Sequence, residues 1–393
     1  MSSRLAALRV APYRLPLHEE WASAAGGFSV RSGWLLAIDD EHGWRGHGDC
    51  APLPGQVGEP PAVAAAALAE AQGWLPGMRV GEALAQLDDP SFTRRTPAAC
   101  CALDAALLDL LAQQAGVGLA DWLLADAAAR SVGSVAVNAS LGALARRSDA
   151  ELAAAGESAL EAGFRVFKLK VGIGDPAAEA ARLAAFGAGL PAGCSLRLDA
   201  NGAWDEGRAA RFIDACGELP IDSLEEPLAT AGDRDTFAAA LRRLQARAAF
   251  PLAIDESWPQ FAADEGDALR AALPVHRLVV KPPRHGGIRA AFALAERALA
   301  AGIDVVVTSS IDSACGVLAA AHLAAAIDAR RRAAGLETQA HGLATSSWLA
   351  VDTGAAPLVA AGRLHLPARP GIGFVPDYRD GMLKPLASSI PSP

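Results

Sequence analysis

Arg165-Val166-Phe167-Lys168-Leu169-Lys170 is a β-prone run that closes on two lysines one residue apart. Side chains alternate between the faces of a strand, so Lys168 and Lys170 point to the same side. Similar runs follow it. Ser195–Asp199 continues into Ala200-Asn201, with Asp199 and Asn201 sharing a face. Ser223–Glu226 leads into Pro227, Leu252–Asp255 into Glu256, and Arg277–Lys281 into Pro282. Ser134–Asn138, Asp304–Thr308 and a weaker Glu337–Gly342 bring the series to eight. Between them lie helical stretches such as Ala177–Phe186 and Ala290–Ala300. Eight strands alternating with helices over roughly 210 residues predict a parallel (β/α) barrel, whose active site is built at the carboxyl ends of the strands. A doubly wound open sheet is the alternative; the many polar residues at strand ends favour the barrel.

Before this region the chain reads differently. Strand-like segments at Leu8–Leu15, Gly33–Ile38 and Gly43–Gly48 precede a turn at Pro52-Leu53-Pro54-Gly55. Helical stretches follow near 60–73 and 97–115, the second with Asp104 and Asp109 among its apolar residues. This is the pattern of an α+β capping domain. The expected division is a cap over 1–130, a barrel over 131–345, and a segment over 346–393 that packs back on the cap.

Composition narrows the partners. With 52% hydrophobic and 20% charged residues, the 393-residue chain has the make-up of a globular protein of two domains. A formal charge of −9 argues against nucleic acid or an acidic membrane surface as partner. The basic run Arg330-Arg331-Arg332 reads as a solvated helix face. The first 15 residues contain no uninterrupted apolar stretch, and the six cysteines show no C-x-x-C spacing. Buried thiols in a reducing cytoplasm are therefore expected. A small-molecule carboxylate is the expected partner, and the sequence is compatible with a homo-oligomer.

The strand ends carry the chemistry. Asp199, Glu225 and Asp255, from three successive strands, offer oxygen donors to one hard cation, and Mg²⁺ fits such a set. A metal there would hold the two oxygens of a substrate carboxylate and absorb enediolate charge. Lysines from the second and sixth strands then reach the α-carbon from opposite faces. Lys168 beside Lys170, with the metal, disfavours protonation of Lys170 and leaves it free to act as a base. One such Asp or Lys is ordinarily a turn residue or a solvated charge; five consecutive strands ending in the required sign are not. The Glu225-Glu226 doublet leaves either residue open as the ligand.

The order Lys168-x-Lys170, Asp199-Ala-Asn201, Glu225-Glu226-Pro227, Asp255-Glu256-Ser257 and Lys281-Pro282 with Gly286-Gly287 resembles the enolase superfamily, within it the muconate-lactonizing subgroup. The resemblance covers nearly the whole chain. It implies a modified (β/α)7β TIM-like barrel with an N-terminal α+β capping domain. It further implies Asp199, Glu225 and Asp255 as Mg²⁺ ligands, Lys170 and Lys281 as the acid/base pair, and Lys168 as their electrostatic neighbour. Asn201, Glu226 and Glu256 take supporting roles.

Segments outside this core are similar to those of o-succinylbenzoate synthases. Thr308-Ser309-Ser310-Ile311-Asp312-Ser313-Ala314-Cys315-Gly316 matches Ser-Ser-x-Glu-Ser-x-x-Gly, with Asp312 in place of Glu. His341-Gly342-Leu343-Ala344-Thr345 matches His-Gly-Leu-Asp-Thr with Ala344 for Asp, and the loop from Asp49 to Gly55 starts with Asp in place of Glu. The resemblance implies dehydration to o-succinylbenzoate, a lyase reaction. Racemisation of N-acylamino acids, dipeptide epimerisation and muconate-type cycloisomerisation remain alternatives. Ser309, Ser310 and Asn138 are the substrate-binding candidates, although the two serines also read as ordinary turn residues.

Overall fold

The computed structural model describes residues 3–23, 26–53, 59–125, 130–230, 232–261 and 273–377. Strands β1 (Leu5–Ser23) and β2 (Gly26–Asp40) form a long antiparallel hairpin, and β3 (Arg45–Cys50) pairs with β2. Helices α1 (Pro61–Trp74), α2 (Val80–Leu87), α3 (Pro90–Arg95), α4 (Pro97–Gln114) and α5 (Leu119–Leu124) follow. Gly46 and Gly48 explain how α4 lies directly on β3. A Cβ at either position would stand 2.0 Å from a carbonyl oxygen of the helix, Ala106 or Ala102. Of the expected turn, Pro54 and Gly55 lie outside the described residues, as do 378–393 of the tail.

Almost every side chain of α4 is buried, including Asp104 and Asp109. Each acid finds backbone donors elsewhere in the chain, as a buried carboxylate requires. Asp104 accepts from Ile288 N at 2.8 Å and Arg289 N at 3.1 Å, and from Arg289 Nε at 2.6 Å. Asp109 accepts from His47 N at 2.9 Å and Ile372 N at 2.8 Å. Both acids thus join α4 to segments distant in sequence.

Glu59 does similar work at the start of α4, accepting from Ala98 N at 2.7 Å. Burial pushes its carboxyl up to about 7, against the lowering effect of the Ala98 and Ala99 amides. A carboxyl raised in the folded state holds its proton longer than the unfolded chain does. It therefore contributes stability below its ordinary value of 4.5, and that contribution is lost as pH rises through about 7. Glu59→Gln should flatten the fall of Tm between pH 4.5 and about 7, measured by differential scanning calorimetry across that range.

The second region is built on seven parallel strands in sequential order: β5 (Ala139–Ala143), β6 (Val166–Lys170), β7 (Ser195–Asp199), β8 (Ile221–Glu225), β9 (Leu252–Ile254), β10 (Arg277–Val280) and β11 (Asp304–Val307). Intervening helices include Pro176–Ala188, Glu206–Ala215, Arg234–Arg247, Ile288–Ala300 and Ala314–Ala333. Sequential order with no reversal excludes the doubly wound sheet. The ring is completed by His341 and Gly342. His341 N donates to Ala136 O and Asn138 N to His341 O, while Gly342 N donates to Val307 O and Ser309 N to Gly342 O.

Two expected strands differ. Ser134–Ala136 (β4) pairs antiparallel with Arg363–His365, and the first barrel strand is Ala139–Ala143. Its Ala and Gly residues have little strand propensity, so pairing with β6 decides its conformation. Glu337–Gly342 joins the ring only through His341 and Gly342, and side chains hold the rest. Arg197 Nη1 donates to Ala340 O, Arg277 Nη2 to Gln339 Oε1, and Arg331 Nε to Glu337 O. Among the described residues, no helix is long and apolar enough to cross a membrane.

Candidate active site

The carboxyl ends of β6, β7 and β8 are in register, Lys170 opposite Asp199 and Asp199 opposite Glu225. Alternation then turns Lys168, Lys170, Asp199 and Glu225 to one face, and their side chains meet. Lys170 Nζ donates to Asp199 Oδ2 and Asn201 Oδ1, each at 2.7 Å. Lys168 Nζ bridges Glu225 Oε2 at 2.5 Å and Asp199 Oδ2 at 3.1 Å. Beyond β9 and β10, Lys281 Nζ bonds Asp255 Oδ2 and stands 3.5 Å from Glu256 Oε1. Arg284 Nη1 reaches Asp255 Oδ1 at 3.4 Å.

Two of these strands end in a residue with left-handed backbone, Asn201 (φ 45°) and Glu226 (φ 43°). The sharp exit separates the two glutamates. Glu225 stays on the lysine face, while Glu226 turns toward the next strand. Glu226 Oε1 there accepts from Asp255 N (2.6 Å), Ser257 N (2.8 Å) and Ser257 Oγ (2.9 Å). Burial, helped by the charge of Glu256, pushes its carboxyl up to about 8. Glu226 therefore fixes the chain around Asp255.

The electrostatics follow from burial and proximity. Burial raises the Asp199 carboxyl, but Lys170 and Lys168 outweigh it and hold Asp199 well below the usual range. Burial raises the Glu225 carboxyl; Lys168 beside it works the other way but does not prevail, since the negative charges of Asp199 and Asp255 add to the rise. Burial lowers Lys168 and Lys281; the facing carboxylates, Glu225 and Asp199 for one and Asp255 and Glu256 for the other, more than reverse that. Burial takes the His285 imidazole down to about 4, so it is neutral beside Lys281. Among the described residues, no three His, Cys, Asp or Glu side chains already stand arranged around a metal position. Ammonium groups lie against the oxygens instead. The donor chemistry still suits a hard divalent cation, since buried carboxylates that repel one another are what such a cation relieves.

The outer candidates are dispersed. Ser309 is buried, with Oγ 2.6 Å from Thr345 Oγ1, and Ser310 N donates to Asp312 Oδ2 at 3.3 Å. The Asn138 side chain is engaged inside the barrel, accepting from Arg197 Nη1 at 3.2 Å. His341 accepts from Val307 N at 3.0 Å and serves the ring closure.

Sequence reading missed Arg284, Trp21 and Trp348. The Trp21 ring lies 5.7 Å from Lys170 Nζ and packs edge-on against Trp348 at 4.7 Å. A tryptophan in a long β1 run carries no spacing signal for this contact. The expected strand Leu8–Leu15 stops short of Trp21, and only its extension to Ser23 carries that ring toward Lys170.

A family model described as "Enolase C-terminal domain-like" matches residues 151–381. The o-succinylbenzoate synthase of Thermosynechococcus vestitus is 32% identical over 305 residues, 70% of this chain and 84% of that one. The aromatic dipeptide epimerase of Herpetosiphon aurantiacus is 28% identical across 83% of this chain and 87% of its own. The structure of a dipeptide epimerase from Methylococcus capsulatus, complexed with Mg and the dipeptide L-Arg-D-Lys, superimposes with a TM-score of 0.79 at 27% identity, covering 95% of this chain and 99% of that one. With strand-end lysines and carboxylates placed as described, and a matching model over more than half its length, this chain belongs to the enolase superfamily.

Proposed function

We propose that this protein abstracts a proton α to a carboxylate with the help of Mg²⁺, and that its reaction is the dehydration yielding o-succinylbenzoate in menaquinone biosynthesis. The observation that carries the first part is the facing of Lys168 and Lys170 onto Asp199 and Glu225, with Lys281 and Asp255 at the adjoining strand ends. Asp199, Glu225 and Asp255 would hold the cation. Bound there, Mg²⁺ would supply positive charge at the substrate carboxylate and so acidify the α-carbon.

The remaining work falls to the chain's own side chains. Lys170 takes the α-proton from the cyclohexadiene carboxylate, and the hydroxide leaves with a proton returned by the same lysine. Asp199 and Asn201, each 2.7 Å from Lys170 Nζ, aim that group. Lys168 stays cationic between Glu225 and Asp199. Lys281 stays cationic and faces the ring and its developing charge. Trp21, whose ring lies 5.7 Å from Lys170 Nζ and packs against Trp348, would limit access of water to that lysine. Glu226 and Glu256 support the chain around Asp255. The 308–316 and 341–345 segments, together with the synthase relative, favour the dehydration.

Epimerisation or racemisation of a dipeptide or N-acylamino acid is the second reading, favoured by a relative that shares more of the chain. Muconate-type cycloisomerisation begins with the same catalytic core. The deciding experiment supplies Mg²⁺ with the cyclohexadiene substrate, and in parallel N-succinylamino acids and dipeptides in D₂O. Dehydration of the first is expected, with chelation abolishing it and Mg²⁺ restoring it. Rapid α-deuteration of an amino-acid derivative without dehydration would give the reaction to the second reading.

A further inference from the structure

Arg31 lies on β2 of the N-terminal domain, yet it is wholly buried against the barrel. Its Nε donates to Ile311 O and its Nη2 to Asp312 Oδ1, both at 3.2 Å and both in the turn that follows β11. Nη1 donates to Pro52 O at 2.5 Å, and Nη2 also to Ala51 O, in the segment leaving β3. A planar guanidinium with five donors can serve four acceptors on two chain segments at once, joining both to its own strand.

The same turn is held from its other side. Asp49 Oδ2 accepts from Ser313 N (3.0 Å) and Ser313 Oγ (2.9 Å), and Asp49 Oδ1 accepts from Tyr13 Oη at 2.5 Å. Between these anchors Ile311 takes a left-handed backbone (φ 58°), which a β-branched residue adopts only under constraint. Its side chain is buried in a small apolar cluster with Leu15, Trp348 and Leu349. The constrained turn begins at Ser309, whose hydroxyl meets Thr345.

We propose that Arg31 is a positioning residue for substrate specificity. It holds the Ser309–Asp312 turn in its strained form, and so sets the wall that receives the part of the substrate remote from the α-carbon. This rests on the proposed dehydration and takes Ser309 and Ser310, the substrate-binding candidates of the sequence, to line that wall. The acceptors of Arg31 include none of the groups that hold the three lysines, Asp199, Asn201, Glu225, Asp255 or Glu256, so its effect falls on binding of the remote group and not on proton transfer.

Arg31→Lys tests this, because a point ammonium keeps the charge but loses the fork. KM for the cyclohexadiene carboxylate bearing its succinyl chain should rise about tenfold while kcat changes less than about threefold. KM for the same ring carboxylate without the succinyl chain should not move. Amide hydrogen exchange across 309–313 should quicken about tenfold or more, with the amides of β6 unchanged. Adding Arg31→Lys to Ser309→Ala should raise KM less than it does in the wild type, since both changes act on one wall. Should Arg31→Lys not fold, Asp312→Asn weakens the same tie and should move KM and exchange in the same directions. A fall in kcat at unchanged KM, an equal KM rise for both substrates, or unaltered exchange at 309–313 would overturn the proposal. A wild-type protein that turns over neither compound refutes the assigned reaction instead, and the exchange measurement still decides whether Arg31 holds the turn.

Discussion

Lys170→Ala is expected to abolish α-proton exchange and every turnover that depends on it, a loss of about 10³-fold or more, in the range for removing a general base. The fold should survive. Asp199 Oδ2, which loses Lys170, keeps Lys168 at 3.1 Å, so the buried carboxylate retains a cation. Lys170→Arg separates the base from the charge: it preserves a cation near Asp199 and Asn201 but cannot give up its proton at working pH. Both variants should be equally inactive in a D₂O exchange assay followed by NMR, with Tm near that of the wild type. Substantial exchange in either would remove Lys170 from the mechanism. Lys281→Ala then divides the remaining readings. A dehydration in which one lysine takes and returns the proton loses less than an epimerisation in which both lysines transfer one.

The second large effect lies at the opposite end of the barrel and concerns stability. Asp222 Oδ2 accepts from Arg197 Nε at 2.8 Å and from Arg277 Nη1 at 2.6 Å, and both arginines are buried. Burial raises the Asp222 carboxyl, but the two guanidinium groups prevail and hold it down at about 2. A depressed carboxylate contributes stability above its unfolded value of 3.8, and that contribution disappears as pH falls through about 2. Asp222→Asn would leave two interior cations facing a neutral amide. A cost of about 3–5 kcal/mol at neutral pH is expected, as when one member of a buried ion pair is removed. Urea unfolding at pH near 7 measures it, and the two proteins should converge on acidification toward the low value just given. A difference under about 1 kcal/mol would mean that the arginines are solvated in a way the packing does not suggest.

Much of the site was legible because it sits where strands end. A short apolar run that closes on Asp, Glu or Lys is a local signal, and it located β6 through β10 together with the candidate residues Lys168, Lys170, Asp199, Glu225, Asp255 and Lys281. The doublet at 225–226 was ambiguous, since only the left-handed turn at Glu226 decides which carboxylate stays among the lysines. The first and last barrel strands were misplaced or faint because their conformation comes from neighbours rather than from their own Ala, Gly, Gln and His residues. Arg31 had no local signal at all: its partner Asp312 lies 281 positions away. Trp21 and Trp348 meet across a similar gap. Contacts of that kind are made by tertiary packing, and no window of sequence contains both halves.

The closure of the ring at His341 and Gly342 bears on how this fold can change over generations. From β5 to β11 the strands are sewn by main chain, and main-chain stitches are indifferent to which residues carry them. The last seam has one bridge on either side and is further tied by side chains, among them His341, Arg197, Arg277 and Arg331. Those ties are written in the identity of residues. A lineage can therefore rewrite most of the circumference one position at a time, but at this seam the arginines must be kept, and Arg277 and Gln339 exchanged as a pair, while Arg197 and Arg331 bond main-chain carbonyls that any residue supplies.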